Sequence, residues 1–218
     1  MRRRTSFGFS LVELLVVIGI IALLIAMLMP SLAKARQQSK WVNCQSNLRQ
    51  CGVMLTIYAN QWRGWIYPPR LGASRAKEER WPVYVFKPAV YNPPVMTCPN
   101  DVEPKEEHSY ILNSHLADKG IKFGSKDLGG LTNSDVIVMG EKVASWEDYY
   151  MDAASPRNHM IGDYAMQKVD TIKHGPRLGS NYLFMDLHVG CLRDTDSGGR
   201  LNNLLDPWDF PSEKNATP

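Results

Sequence analysis

The sequence predicts an α+β chain: one long N-terminal helix, its first half apolar and its second half amphipathic, packed on a small, mainly antiparallel β-sheet head. Three observations predict it. Residues 9–29 form an apolar run whose only charged member is Glu13. Beyond Pro30, apolar residues recur at alternating spacings of three and four. After Gly64 the chain breaks into short apolar runs separated by Pro and Gly. The boundaries that follow are a leader at 1–8, a membrane helix at 9–30, an amphipathic helix at 31–63, a β-rich head at 64–193 and a polar tail at 194–218.

The leader carries Arg2, Arg3 and Arg4. The run after it reaches the ~20 residues a helix needs to cross a bilayer core, and a lone segment in lipid must be helical to satisfy its backbone. Arginines on the leader side predict a cytoplasmic N-terminus and a periplasmic head. A conventional secretory signal has a shorter apolar core, ~7–15 residues, before its cleavage site. A plain signal anchor accounts for the arginines and the run but leaves Glu13 without a purpose. Near the middle of a spanning helix a carboxylate costs roughly 2.5–3.5 kcal/mol, so it calls for a cationic partner. Cleavage after Gly8 would create one, an α-amine on Phe9, one helical turn before Glu13 and on the same face.

Pro30 removes one internal hydrogen bond and predicts a bend. Trp41, Cys44, Leu48, Cys51, Leu55, Tyr58 and Trp62 then line one helix face, with Lys40, Asn47, Arg49 and Gln50 off it. Gly64 is a natural helix stop, and Pro68-Pro69 follow. In the head, strands are predicted at 83–86, 109–112, 136–139, 182–185 and 188–192. The last two read as a tight hairpin about Asp186-Leu187, although Leu is a poor residue for the positive φ of a type I′ turn. Residues 141–173 read as a long insertion, and no internal repeat is present.

Charge and chemistry exclude several function classes. Lys+Arg number 25 against 22 Asp+Glu, and the three leader arginines account for the whole excess. A processed chain thus has no basic surplus for nucleic acid. No HExxH, GxSxG or phosphate-binding glycine loop occurs, and no paired carboxylates stand out, so the expectation is a non-enzyme without a cofactor. The four cysteines, Cys44, Cys51, Cys98 and Cys191, are candidate disulfide residues. Cys44 and Cys51 are too far apart along one helix to bond to each other; either is able to pair with Cys98 or Cys191. His174, Asp186 and His188 are candidate metal ligands of a type suited to zinc. Asp194 and Asp196 are weaker candidates for calcium, which wants ~6–8 oxygens. Trp146, Tyr149 and Tyr150 are a candidate aromatic platform for a ligand.

Gly8-Phe9-Ser10-Leu11-Val12-Glu13-Leu14-Leu15 resembles the cleavage and methylation motif of type IV pilins and type II secretion pseudopilins, and the resemblance covers about residues 1–60. It implies a prepilin peptidase that cuts after Gly8 and methylates Phe9. It also implies an assembly role for Glu13, the fifth residue counted from Phe9, and partners among other pilin or pseudopilin subunits and inner-membrane lipid. The head resembles a group of pilin-like proteins of planctomycete-type bacteria at Cys98-Pro99-Asn100-Asp101, Ser109-Tyr110-Ile111-Leu112-Asn113, His174-Gly175 and Asn181 to Val189. Leu187 departs from that pattern, where glycine is usual. The function these readings imply is a structural subunit, major or minor, of a type IV pilus-like or type II secretion-like filament. The alternatives are a membrane-tethered polysaccharide-binding protein and, third, a tethered hydrolase.

Overall fold

The computed structural model describes residues 10–66, 81–86, 94–101, 108–113, 116, 121–125, 128, 132–143, 150–151, 173–175 and 177–192. The leader with Gly8 and Phe9, Pro68-Pro69, Glu106-Glu107, Trp146, Tyr149, most of the 141–173 insertion and the tail with Asp194 and Asp196 lie outside the described residues. The chain divides into two compact units, Met1–Ser39 and Lys40–Pro218.

Helix α1 spans Leu11–Gln61 and contains Pro30. From Leu14 to Met29 it is apolar all round, and every residue from Ser10 to Ser39 is exposed. The large side chains from Leu11 to Met29 are each about half exposed or more. This segment is long and apolar enough to cross a membrane. Each such side chain gains about 1.5–3 kcal/mol on leaving water, so an unbroken sleeve of them requires lipid or other apolar helices around it.

In the second unit α1 is one-sided. Cys44, Leu48, Cys51, Leu55 and Tyr58 are buried at the predicted spacing. The stripe departs from expectation at two places. Trp62 is 58% exposed, because α1 ends at Gln61 and the chain leaves the helical register. Asn47 is half-buried, and its Nδ2 donates to Thr97 O at 3.0 Å. The helix stop begins one residue before Gly64: Arg63 has φ 56° and Gly64 φ 90°, and Gly64 N reaches back to Ala59 O at 2.7 Å. That bond has the span of a Schellman closure, which needs a left-handed residue just before it; Arg63 takes that position.

Among the described residues the head holds a five-stranded sheet. Its strands are β1 Tyr110–Asn113, β2 Ile137–Glu141, β3 Tyr150–Met151, β4 Ser180–Phe184 and β5 Val189–Leu192, in the spatial order β3-β1-β2-β4-β5. All neighbours are antiparallel except the short β1/β3 edge pair, which is parallel. Tyr110 and Leu112 of β1, Val138 of β2 and Leu183 of β4 share one core with the buried face of α1. Gly52 makes their approach close: a Cβ there would stand 3.0 Å from Leu183 Cδ1 and 3.4 Å from Leu187 Cδ2. The predicted strand at 83–86 is instead part of a short helix, α2, Trp81–Phe86. Pro82 in its first turn fixes φ near the helical value, and that outweighs the β preference of the residues after it.

The β4–β5 hairpin forms where predicted, with a longer loop. Phe184 N bonds His188 O at 3.0 Å and Leu187 N bonds Phe184 O at 2.9 Å. Met185, Asp186 and Leu187 thus make the three-residue type, a type I turn closed by a left-handed residue. Leu187 holds that left-handed place with φ 71°, at a cost of roughly 1–2 kcal/mol for a residue with a Cβ. Its side chain reaches the Gly52 face of α1, so apolar contact offsets the backbone strain. Glycine would relieve the strain and lose the contact.

Candidate functional site

The start of α1 is a capping box. Ser10 Oγ accepts from Val12 N at 3.3 Å, while Glu13 Oε2 accepts from Ser10 N at 2.9 Å. Each side chain satisfies a backbone donor that the first helical turn leaves open. Glu13 therefore has a local task that its position in an apolar run did not announce. Its carboxylate also lies at the positive end of the helix dipole, four residues after Phe9. It stands in the first unit, on an apolar sleeve that is exposed along its whole length among the described residues.

The head carries a second polar constellation. Glu141, at the end of β2, is fully buried. A buried carboxylate costs several kcal/mol unless its oxygens are satisfied, and here three donors meet it. They are His174 Nε2 at 2.9 Å, Asn181 N at 2.8 Å and Asn181 Nδ2 at 3.2 Å. Beside it Lys173 Nζ pairs with Asp101 Oδ1 at 2.7 Å and donates to Lys142 O, while Asn100 Nδ2 donates to Lys173 O. The segments Cys98–Asp101 and His174–Gly175, about 75 residues apart in sequence, are thereby brought together.

Cys44 and Cys98 form a disulfide, with Cα atoms 5.2 Å apart, that ties α1 to this constellation. Cys51 and Cys191 remain thiols. Cys51 Sγ lies 3.9 Å from Met96 Sδ, and Cys191 Sγ donates to Leu178 O. The structure separates the metal candidates. His174 meets Glu141 and Cys98 at the start of β4, whereas Asp186 and His188 pair with each other, Oδ1 to Nδ1 2.5 Å, in the hairpin loop beyond its far end. Five residues of strand at ~3.3 Å each lie between the two places, too far for one ion. Asp186 instead caps the turn by accepting from His188 N at 3.1 Å, and the His188 ring stacks on Phe184 with centroids 4.2 Å apart. His108 is buried.

Glu141, Lys173 and Asn181 were not legible as site residues. The available signal was Gly140-Glu141-Lys142 directly after the apolar run Val136–Met139: opposite charges ending a buried strand imply buried partners.

Burial pushes the Cys51 thiol well above its ordinary value of 9.0, a backbone hydrogen bond opposing this only in part. Burial, and then the negative charge of Glu141, push the Tyr110 hydroxyl well above 10.0. Both groups stay protonated in the folded head and ionise in the unfolded chain, so unfolding releases protons at high pH. Their contribution is complete below pH 9 and declines above it, by about 1.4 kcal/mol per pH unit for each group past its unfolded pKa. Thermal unfolding between pH 8 and pH 11 is expected to show this decline, with Cys51→Ala removing the part that starts near pH 9. A wild-type slope unchanged in that variant would exclude Cys51 as its source.

Comparison with known proteins adds one finding. Comparison with curated proteins and with solved structures gives no match. The family model described as the prokaryotic N-terminal methylation motif matches residues 3–29, across the leader, Gly8-Phe9, Glu13 and the apolar run. The chain thus carries the type IV pilin-like N-terminal signal, joined to a membrane-anchoring apolar helix and an α+β head.

Proposed function

We propose that this protein is a structural subunit, major or minor, of a type IV pilus-like or type II secretion-like filament. The observation that carries the proposal is the methylation motif at residues 3–29, placed on a helix whose apolar sleeve is wholly exposed. A prepilin peptidase cuts after Gly8 and methylates Phe9. The arginine leader holds the N-terminus in the cytoplasm, and the head lies in the periplasm. Assembly transfers residues 9–30 from lipid into a bundle of like helices, where Glu13 pairs with the N-terminal amine of a neighbour. Contacts of this kind do not close on themselves and propagate as an open helix. The Cys44–Cys98 disulfide suits a head on the oxidising side of the membrane.

Intact-mass and N-terminal peptide analysis of the protein from its native membrane tests the processing step. The expected N-terminus is N-methylated Phe9. An intact Met1 in the membrane-embedded protein would make it a plain anchored protein and would remove the filament reading.

A further inference from the structure

The disulfide lies against the buried polar constellation, and that neighbourhood has the chemistry of a metal centre. One donor atom each from Cys44, Cys98, Glu141 and His174 fall within 4.8 Å of one another, and all four residues are buried. His174 Nε2 is 3.9 Å from Cys98 Sγ and 2.9 Å from Glu141 Oε1. Thiolate, imidazole and carboxylate are all zinc ligands, and four of them match the coordination number of a closed tetrahedral zinc site. The donors come from α1, the loop before β1, the end of β2 and the turn before β4.

We propose that reduction of the Cys44–Cys98 bond converts this cluster into a buried zinc-class metal site, so that the head carries either the disulfide or the metal. A dithiol reductant supplies two electrons and two protons to the sulfurs and becomes a disulfide itself. The divalent ion then displaces both thiol protons to solvent, as thiolate ligation requires. Once the bond is open, the sulfurs are free to part to the ~3.7 Å that Zn–S bonds of about 2.3 Å demand. His174 changes tautomer, its proton passing by way of solvent from Nε2 to Nδ1, and Nε2 turns from donor to ligand.

The surrounding groups already hold the ligands as outer partners of a metal site do. Asn181 N and Nδ2 both hold the Glu141 carboxylate. Cys98 N donates to Ser109 Oγ at 2.8 Å, and Asn100 N points at Cys98 Sγ from 3.5 Å, an N–H of the kind that steadies a thiolate. In the reduced chain the metal would tie together the same elements that the disulfide ties in the oxidised one. The proposal does not rest on the filament reading.

The test is cobalt titration of the full chain in detergent, reduced with a phosphine and handled without oxygen. One Co²⁺ per chain is expected, with the visible ligand-field bands of a tetrahedral site and sulfur-to-cobalt bands in the near ultraviolet, both bleached by Zn²⁺. The oxidised chain is expected to show neither. Because Cys51 and Cys191 are also thiols, the bands must survive the double substitution Cys51→Ala, Cys191→Ser and disappear in Cys44→Ser, Cys98→Ser. Asn181→Ala, which removes the Nδ2 donor to Glu141 Oε1 and leaves the backbone donor to Oε2, is expected to weaken binding ~10-fold. If reduction alone loosens the head, cobalt is expected to restore its circular dichroism together with the bands. A reduced wild-type chain lacking tetrahedral bands, or bands that persist without Cys44 and Cys98, would overturn the proposal.

Discussion

Glu13→Gln is expected to leave the helix and its membrane insertion intact and to abolish filament assembly. The choice of glutamine follows from the capping box. Glu13 Oε2 takes the Ser10 N–H at 2.9 Å, and a Gln side-chain oxygen performs that task equally well. What glutamine removes is the charge. A carboxylate and an α-amine about 4 Å apart attract by about 4 kcal/mol at an effective dielectric near 20, roughly three orders of magnitude in an equilibrium. Glutamine is also easier to insert into lipid than a carboxylate, so a loss of assembly could not be ascribed to poor insertion. Glu13→Ala removes cap and charge together, and its difference from Glu13→Gln isolates the cap, worth typically about 1 kcal/mol. The readout is the protein in the membrane fraction against the protein in sheared filaments. Wild-type filament yield from the glutamine variant would show that pairing between Glu13 and the amine does not drive docking.

The legible part of this fold was local, and the illegible part was long-range. Cys44, Leu48, Cys51, Leu55 and Tyr58 are buried as their spacing required, because helical periodicity is a property of neighbouring residues. The same pattern misled at Trp62, where the stripe outlasted the helix by one residue. At 83–86 a short apolar run was read by its β-branched and aromatic content. Periodicity does not separate strand from helix over four residues, and Pro82 decided for helix. Leu187 raised a correct doubt about the hairpin. Its answer, a left-handed leucine lying on Gly52, depends on a helix more than 130 positions earlier in sequence. The Glu141 constellation had the least local trace, since its members converge only when β2 pairs with β4 and the Cys98 loop folds under His174. Two charges after an apolar strand were visible, but their partners were not.

Replacing both cysteines of the disulfide by alanine is expected to destabilise the head by about 2–4 kcal/mol and to lower its Tm by on the order of 10 °C. The cross-link spans a sequence separation of 54, for which the chain-entropy account gives about 4 kcal/mol. Alanine is the informative replacement, because buried serine hydroxyls would add a desolvation penalty of roughly 1–3 kcal/mol of their own. The bond is set in packed surroundings. Tyr110 Oη donates to Cys44 O at 3.5 Å, and Cys98 N is held by Ser109. Alanine therefore leaves the neighbours in place and removes mainly the constraint on the unfolded chain. Membrane anchoring is expected to persist, since residues 11–29 take no part in the bond. A Tm within about 2 °C of wild type in calorimetry would mean that apolar packing alone fixes α1 on the sheet. The alanine pair also separates two accounts of the reduced wild-type chain. Reduction should reproduce the alanine pair's loss, and zinc should restore part of the lost Tm in the reduced wild type but none in the alanine pair, which has no sulfur beside Glu141 and His174 to bind it.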